Sequence, residues 1–202
     1  MKYLGIDTSG DYLTIVARTD EKTAGYYALL QGVKHSETLM AEVEKLLLEM
    51  GAKPSDFDVF ACVTGPGSFT GIRIGVATIK GFADALGKKV LGVTVFDVLS
   101  YDREENALAI VNANHGNFYV AEYCDGKEKF SPRFVENEEF ADLKKNHVLL
   151  SALPVDGLEV KTVDMRKGLK SAIEKNYAFA SFDTDAVHPF YLRLSQAEEG
   201  RK

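Results

Sequence analysis

Two short stretches gather the residues that could do chemistry. Residues 64–75 read TGPGSFTGIRIG, between an apolar run at 59–63 and an amphipathic stretch ending near residue 86. Four glycines in these twelve residues (Gly65, Gly67, Gly71, Gly75) let a backbone turn sharply or approach another group closely, since glycine reaches positive φ without steric cost. Pro66 stiffens the turn, and Ser68 and Thr70 stand where a hydroxyl can cap the first turn of the following helix. Such a loop aims free N–H groups and the positive end of a helix dipole at one point, which suits an anion. From composition alone a tight strand-to-helix turn that holds nothing is the favoured reading, because Gly-rich turns far outnumber anion sites. The second stretch is Asp7-Thr8-Ser9, a carboxylate and two hydroxyls at the end of an apolar run.

The known phosphate loops are not reproduced. No Gly-Lys-Ser/Thr follows Gly65, Gly67 or Gly71, as a P-loop requires. Gly65 and Gly67 supply the first pair of a Rossmann fingerprint, but Thr70 stands where its third glycine belongs. Ser68 lacks the G-x-S-x-G elbow of a nucleophile. Asp7 and Arg73 could pass for an acid and an anion clamp; Asp7 is better read as accepting hydrogen bonds within its own turn, and Arg73 as pairing near the glycine loop or lining an interface. His35, His115, His147 and His188 are scattered, so no bound catalytic metal is expected.

These residues need a scaffold, and 202 residues that are 46% hydrophobic and 27% charged can bury one sizeable core or two small ones. A net charge of -6 argues against unaided, nonspecific binding to nucleic acid, which needs a basic footprint. No apolar run approaches the roughly 20 residues of a membrane span, and the N-terminus reads as a strand and a turn, so a cytoplasmic protein is expected. Cys62 and Cys124 form no metal or redox spacing.

Strands are expected at 2–7, 13–18 and 23–30, then a helix at 36–50 capped by Ser36, with Leu39, Met40, Val43, Leu46, Leu47 and Met50 recurring at helical spacing and Leu48 opposite that stripe. A strand at 59–63, the glycine loop, a helix to about residue 86 and a strand at 90–95 follow. The second helix carries Gly71, Gly75, Thr78, Phe82 and Ala85 along one face, where small side chains allow close approach of a partner helix or of the protein's own sheet. The order then starts again: a connection at 102–105, strands at 107–111, 118–124 and 129–135 about an Asp125-Gly126 turn, a helix near 138–145, strands at 148–151 and 160–163, and a helix at 165–177. This repeat implies duplicated α/β domains, drawn at 1–100 and 101–194 with a polar tail at 195–202.

With these residues laid out, the chain resembles the bacterial TsaB (YeaZ) family, a subunit of the machinery that makes threonylcarbamoyladenosine at position 37 of tRNA and a glycoprotease-like paralogue of TsaD. The matching motifs are IDTS at 6–9, HSETL at 35–39, GPGSFTGIRIG at 65–75 and PFYLR at 189–193. The resemblance implies the actin, Hsp70 and sugar-kinase type of fold, ribonuclease H-like and duplicated, with a degenerate second half. That superfamily holds ATP with two acidic Gly-rich turns and a Gly-Gly loop. Here the first turn keeps Asp7 but no glycine, the second has Asn112 in place of a carboxylate, and no Gly-Gly pair occurs. Family members commonly carry Asp-Ala-Arg where this chain has Asn112-Ala-Asn114, so no role of that Asp or Arg is carried over. The catalytic relative resembles a metalloprotein with a His-x-x-x-His pair, whereas Leu39 stands four residues beyond His35.

The resemblance implies a noncatalytic scaffold that binds no cofactor alone. Its expected partners are a TsaD-like catalytic subunit and a TsaE-like ATPase; tRNA is reached, and ATP used, through the complex, and the chain is a homodimer when alone. Ser36, Leu39, Met40, Val43, Leu47, Gly71, Gly75, Thr78 and Phe82 are the candidate partner interface. Asp7, Thr8, Ser9, Gly65, Pro66, Gly67, Ser68, Thr70 and Arg73 form a degenerate anion or nucleotide loop. The rival readings are a glycoprotease-like enzyme or small phosphotransferase acting alone, and an interaction module with a different partner.

Overall fold

A computed structural model describes residues 1–102, 106–124 and 127–193. The connection at 103–105, the Asp125-Gly126 turn and the expected tail lie outside the described residues.

The first sheet comprises β1 (Tyr3–Gly10), β2 (Tyr12–Arg18), β3 (Thr23–Leu29), β4 (Val59–Val63) and β5 (Lys89–Val93) in the order β3-β2-β1-β4-β5. β1 and β4 take the centre because they are apolar on both faces: every residue of β4 is buried, and all of β1 except Gly10. β2 and β3 pair antiparallel beside β1, while β4 and β5 run parallel to it. The crossovers these parallel pairs demand are α1 (His35–Met50) and α2 (Phe69–Leu86). Their stripes, Leu39, Val43, Leu46, Leu47 and Met50 on α1 and Ile72, Val76, Ile79 and Ala83 on α2, close over Leu4, Ile6, Leu13, Ile15, Phe60 and Cys62.

The second sheet repeats that order. β6 (Asn106–Asn112), β7 (Phe118–Cys124), β8 (Lys127–Val135), β9 (Val148–Ser151) and β10 (Lys161–Thr162) lie as β10-β9-β6-β7-β8. α4 (Asn137–Leu143) covers one face through Phe140, whose ring stacks on Phe118 at 4.1 Å. The duplicated α/β architecture expected from the sequence is therefore present.

Between the sheets lie α3 (Val95–Leu99) and α5 (Met165–Asn176). Val95, Phe96, Val98 and Leu99 of α3 and Leu169, Ala172 and Ile173 of α5 share one core with Tyr3, Val59, Ala61 and Val63 of the first sheet and Ala107, Ala109, Ala121 and Leu150 of the second. The helices cross closely because Gly168 presents no side chain; a Cβ there would stand 2.5 Å from the Val98 carbonyl oxygen.

Several expectations change. The strand expected at 90–95 stops at Val93, because Thr94 and Asp97 form a capping box that starts α3. The helix expected from Ser36 starts at His35, with Lys34 in the cap position and no side-chain cap bond. His35 Nε2 instead meets the Tyr12 carbonyl at 2.9 Å, which holds the first residue of α1 against the sheet. The boundary drawn at residue 100 separates the sheets but not the packing: α5 belongs by sequence to the second half yet closes the first sheet, and Val187 lies in the core of the first half.

Candidate functional site

The end of β1 and the start of α2 come together and close on each other. The Asp7 carboxylate is fully buried (0% exposed). Its Oδ1 accepts from the Ser9 amide at 2.9 Å and from Ser9 Oγ at 2.6 Å, and its Oδ2 accepts from the Tyr12 hydroxyl at 3.2 Å. Burial pushes the Asp7 carboxyl above the usual carboxylate range, against the hydrogen bonds of Ser9 and Tyr12 and the nearby His35, which pull it down. Burial likewise pushes the Tyr12 phenol up, reinforced by the adjacent Asp7 charge.

The glycine loop is seated on this turn. Thr8 Oγ1 donates to the Gly71 carbonyl at 2.7 Å, and the Ser68 amide donates to the Ser9 carbonyl at 2.7 Å. Side chains at Gly67 or Gly71 would collide with the Ser9 and Thr8 carbonyl oxygens, and a Cβ at Gly75 would stand 2.7 Å from Thr8 Oγ1. Gly65 has φ +122° and Gly67 φ +157°, which again selects glycine. Ser68 is the cap, its Oγ accepting from the Gly71 amide at 3.2 Å, and Thr70 is already inside the helix. Pro66 is buried, while Ser68, Thr70 and Arg73 are exposed. Arg73 Nε donates to the Tyr191 hydroxyl at 2.9 Å, and Tyr191 stacks on Phe69 at 4.4 Å. The loop is thus clasped from the other side by the 189–193 segment, whose Phe190 amide donates to the Thr64 carbonyl at 2.8 Å.

An ATP–Mg²⁺ group, which the fold type implies, does not fit these residues as they stand. The Asp7 oxygens face donors within their own turn, and the space a glycine-rich cradle would offer a phosphate is filled by the Thr8 and Ser9 backbone. At the corresponding turn of the second sheet, Asn112 Oδ1 accepts from the Asn114 amide at 2.8 Å, an Asx turn in which Asn114, His115 and Gly116 all have positive φ. Among the described residues no group of three or more His, Cys, Asp or Glu side chains could hold a metal ion.

The candidate interface residues divide. Leu39, Val43 and Leu47 are core residues of α1, and Gly71 and Gly75 face Thr8 and Cys62 of the protein's own sheet. The small-residue face of α2 is filled by β1 and β4 and the α1 stripe by the core, so these five positions are covered by the protein itself. Phe82 is half-buried and stacked on Phe60 at 5.1 Å, and Thr78 donates to the Ile74 carbonyl. Ser36 and Met40 (53% exposed) face outward, as does Leu48 at 73%.

Comparison with known proteins gives the lineage. The family model for tRNA N6-adenosine threonylcarbamoyltransferase, TsaD, matches residues 19–197. The chain belongs to the TsaD/TsaB family. TsaB of Escherichia coli, named a tRNA threonylcarbamoyladenosine biosynthesis protein, is 29% identical over 128 residues, 61% of this chain and 55% of the relative. An uncharacterized protein of Mycobacterium tuberculosis is 32% identical over 131 residues, 64% of this chain. The match spans about 62% of that relative's length. YeaZ from Pseudomonas aeruginosa has the same fold, with a TM-score of 0.78, 22% identity, and coverage of 95% of this chain and 99% of that one. No helix among the described residues is long and apolar enough to cross a membrane.

Proposed function

We propose that this TsaD/TsaB-family chain is a noncatalytic subunit that pairs with a TsaD-like protein and supports threonylcarbamoyl transfer to adenosine 37 of tRNA. The observation that carries the reading is the closed Asp7 turn. In this fold type that carboxylate would direct Mg²⁺; here it is buried and its oxygens are spent on Ser9 and Tyr12. A carboxylate so held organises a turn, and a hard cation wants exposed charged oxygens. The chemistry then belongs to the partner, ATP is consumed by the complex with a TsaE-like ATPase, and the chain works in the cytoplasm, where it reaches tRNA through that complex. The contact face on this reading is the outward side of α1, with Ser36, Met40 and Leu48 exposed. The same face would serve a homodimer when the partner is missing, so self-pairing and partner-pairing compete.

The test is threonylcarbamoyl incorporation into tRNA by the other biosynthesis proteins, run with and without this chain, beside size exclusion of the mixture with the TsaD-like subunit. Incorporation that depends on the chain and a mixed complex that elutes together are the expected results. Incorporation without it, or ATP-dependent turnover by the purified chain alone, overturns the proposal.

A further inference from the structure

We propose that the groove over α5 is a contact for an RNA phosphate backbone, made by Lys167, Lys170 and Lys175 with Tyr101 on its rim. The groove encloses about 480 Å³ and is lined by these four side chains with Ser171 and Glu174. Lys167, Ser171 and Lys175 follow one another at i, i+4 and i+8, so they form one stripe along the helix. The position between the two lysines, where a carboxylate could answer both, is a serine, and Asp164, one turn before Lys167, caps the helix and pairs with Arg166 at 3.5 Å. Elsewhere some lysines meet acids, Lys2 and Lys88 with Asp58, Lys80 with Asp185, Lys145 with Asp142, and others stand singly on the surface; what sets Lys167 and Lys175 apart is that both line one groove with a third lysine. Among the described residues Lys167 and Lys175 have no carboxylate within ion-pair distance.

Among the described residues the one acid lining the groove is already shared. Glu174 Oε2 holds Lys170 at 3.0 Å, while its Oε1 pairs with Arg18 and accepts from the Tyr3 hydroxyl at 3.0 Å. Burial would raise this carboxyl, yet the hydrogen bonds from Lys170, Arg18 and Tyr3 bring it below its ordinary value, so it is ionised and answered by two cations. The groove keeps an excess of positive charge on a chain of net charge -6, which concentrates on one helix face the footprint that overall composition lacks.

The geometry selects a strand of phosphates over a small anion. From Lys167 to Lys175 is eight residues, about 12 Å of helix, a span longer than a single phosphate and suited to successive phosphates of one strand. The three lysines are distributed over more than two turns of the helix. Lysine is a point charge without the fork that reads a base edge, so the contact is sequence-independent. Tyr101, 41% exposed, presents a ring on which an unstacked base can lie. The inference rests on the tRNA-modification reading above.

The probe is an unmodified tRNA transcript, titrated at several salt concentrations against the full chain in complex with the TsaD-like subunit. Reversing both unpaired charges, K167E with K175E, is expected to lower affinity about tenfold or more and to reduce the slope of log affinity against log salt by about two. The pair K167R with K175R should keep both quantities. Both positions are exposed, and an unchanged unfolding midpoint in K167E/K175E verifies that the fold is intact. Unchanged affinity and slope in the reversed variant overturn the groove, as does an arginine variant that fails like the glutamate one. So does binding of phosphatidylserine vesicles, through the same lysines, as tight as that of the transcript. If incorporation depends on the chain while the lysine variants bind RNA normally, the groove alone is wrong; if incorporation never depended on the chain, the reading beneath it has failed.

Discussion

Asp7 sits in a turn where one carboxylate satisfies three donors, and its substitution separates turn-building from catalysis. Asp7→Asn keeps an acceptor for the Ser9 amide and hydroxyl, and its new N–H₂ can donate to the Tyr12 hydroxyl. Asp7→Ala removes the acceptor of all three donors in a buried space, where the Ser9 and Tyr12 hydroxyls, 3.4 Å apart, can satisfy only one of them. At about 1–3 kcal/mol per orphaned group, less whatever relaxation recovers, the alanine variant should lose roughly 2–4 kcal/mol in urea unfolding at pH 7. The asparagine variant should stay within about 1 kcal/mol of the parent and still support tRNA modification. Loss of function in a stable Asp7→Asn protein would instead make this a chemical carboxylate. The sign with pH follows from burial: the folded value lies above the unfolded one near 3.9, so this group's contribution is full below about pH 3.9 and declines as pH rises through the folded value. Asp7→Asn should remove that decline. Glu122 behaves oppositely. Burial would raise it, but Lys129 at 2.6 Å and His147 at 3.2 Å lower it further than burial lifts it. Its contribution is complete above the unfolded value near 4.3 and fades as pH falls through the lower folded value. An acid titration of stability should therefore be shallower in Glu122→Gln, and an unchanged acid limb would mean that the pair does not couple to folding.

At the scale of elements, two of the three glycines of α2 have opposite roles. Gly71 lies against the Thr8 carbonyl, while Gly81 on the solvent side has nothing within 4 Å of where a Cβ would stand. Gly81→Ala should stabilise by roughly 0.5–1 kcal/mol, because it removes unfolded-state freedom at no steric cost. Gly71→Ala must push β1 and α2 apart and should cost about 1–3 kcal/mol or more, read as a shift in the urea midpoint. Equal effects at the two sites would contradict the seating of the loop on β1. The same helix shows what the sequence made legible. Its period, its Ser68 cap and its Gly87 stop are local signals, as are the alternating or fully apolar strands, so nearly every element was placed to within two or three residues. The direction of a small-residue stripe is not local: nothing in Gly71, Gly75 and Thr78 says whether sheet or partner fills it, and it is the sheet. α3 is masked in the sequence because Val95-Phe96 continues the apolar run of β5, and the Thr94-to-Asp97 capping box that interrupts it is the local signal of its start. The clasp of Tyr191 on Phe69 and Arg73 joins residues more than 115 apart in sequence, which no periodicity reveals. The lysine stripe of α5 was equally hidden, since its meaning depends on where Glu174 and Arg18 meet in space.

For the whole molecule, the repeat raises the question of whether two similar sheets behave as two domains. Packing answers that they do not. α3 and α5 bury apolar surface against both sheets in a single core, at about 25 cal/mol for each Å² removed from water. Neither sheet keeps its inner face covered if the other unfolds, because the covering helices are joined to each other at Gly168 and Val98. The last segment ties the halves again, with Val187 in the first core and Phe190 bonded to Thr64. Thermal unfolding should accordingly be one transition, with calorimetric and van't Hoff enthalpies equal. Gly168→Ala tests the cause, since a methyl facing the Val98 carbonyl must widen the α3–α5 crossing at a cost of about 1–3 kcal/mol. In a chain of this size that corresponds to a fall in midpoint of roughly 2–12 °C. The transition should stay single as it moves down, because the strained crossing belongs to both halves at once. Two resolved transitions in the parent protein would mean that the halves fold independently, and that α5, although drawn from the second half, is an integral part of the first domain alone.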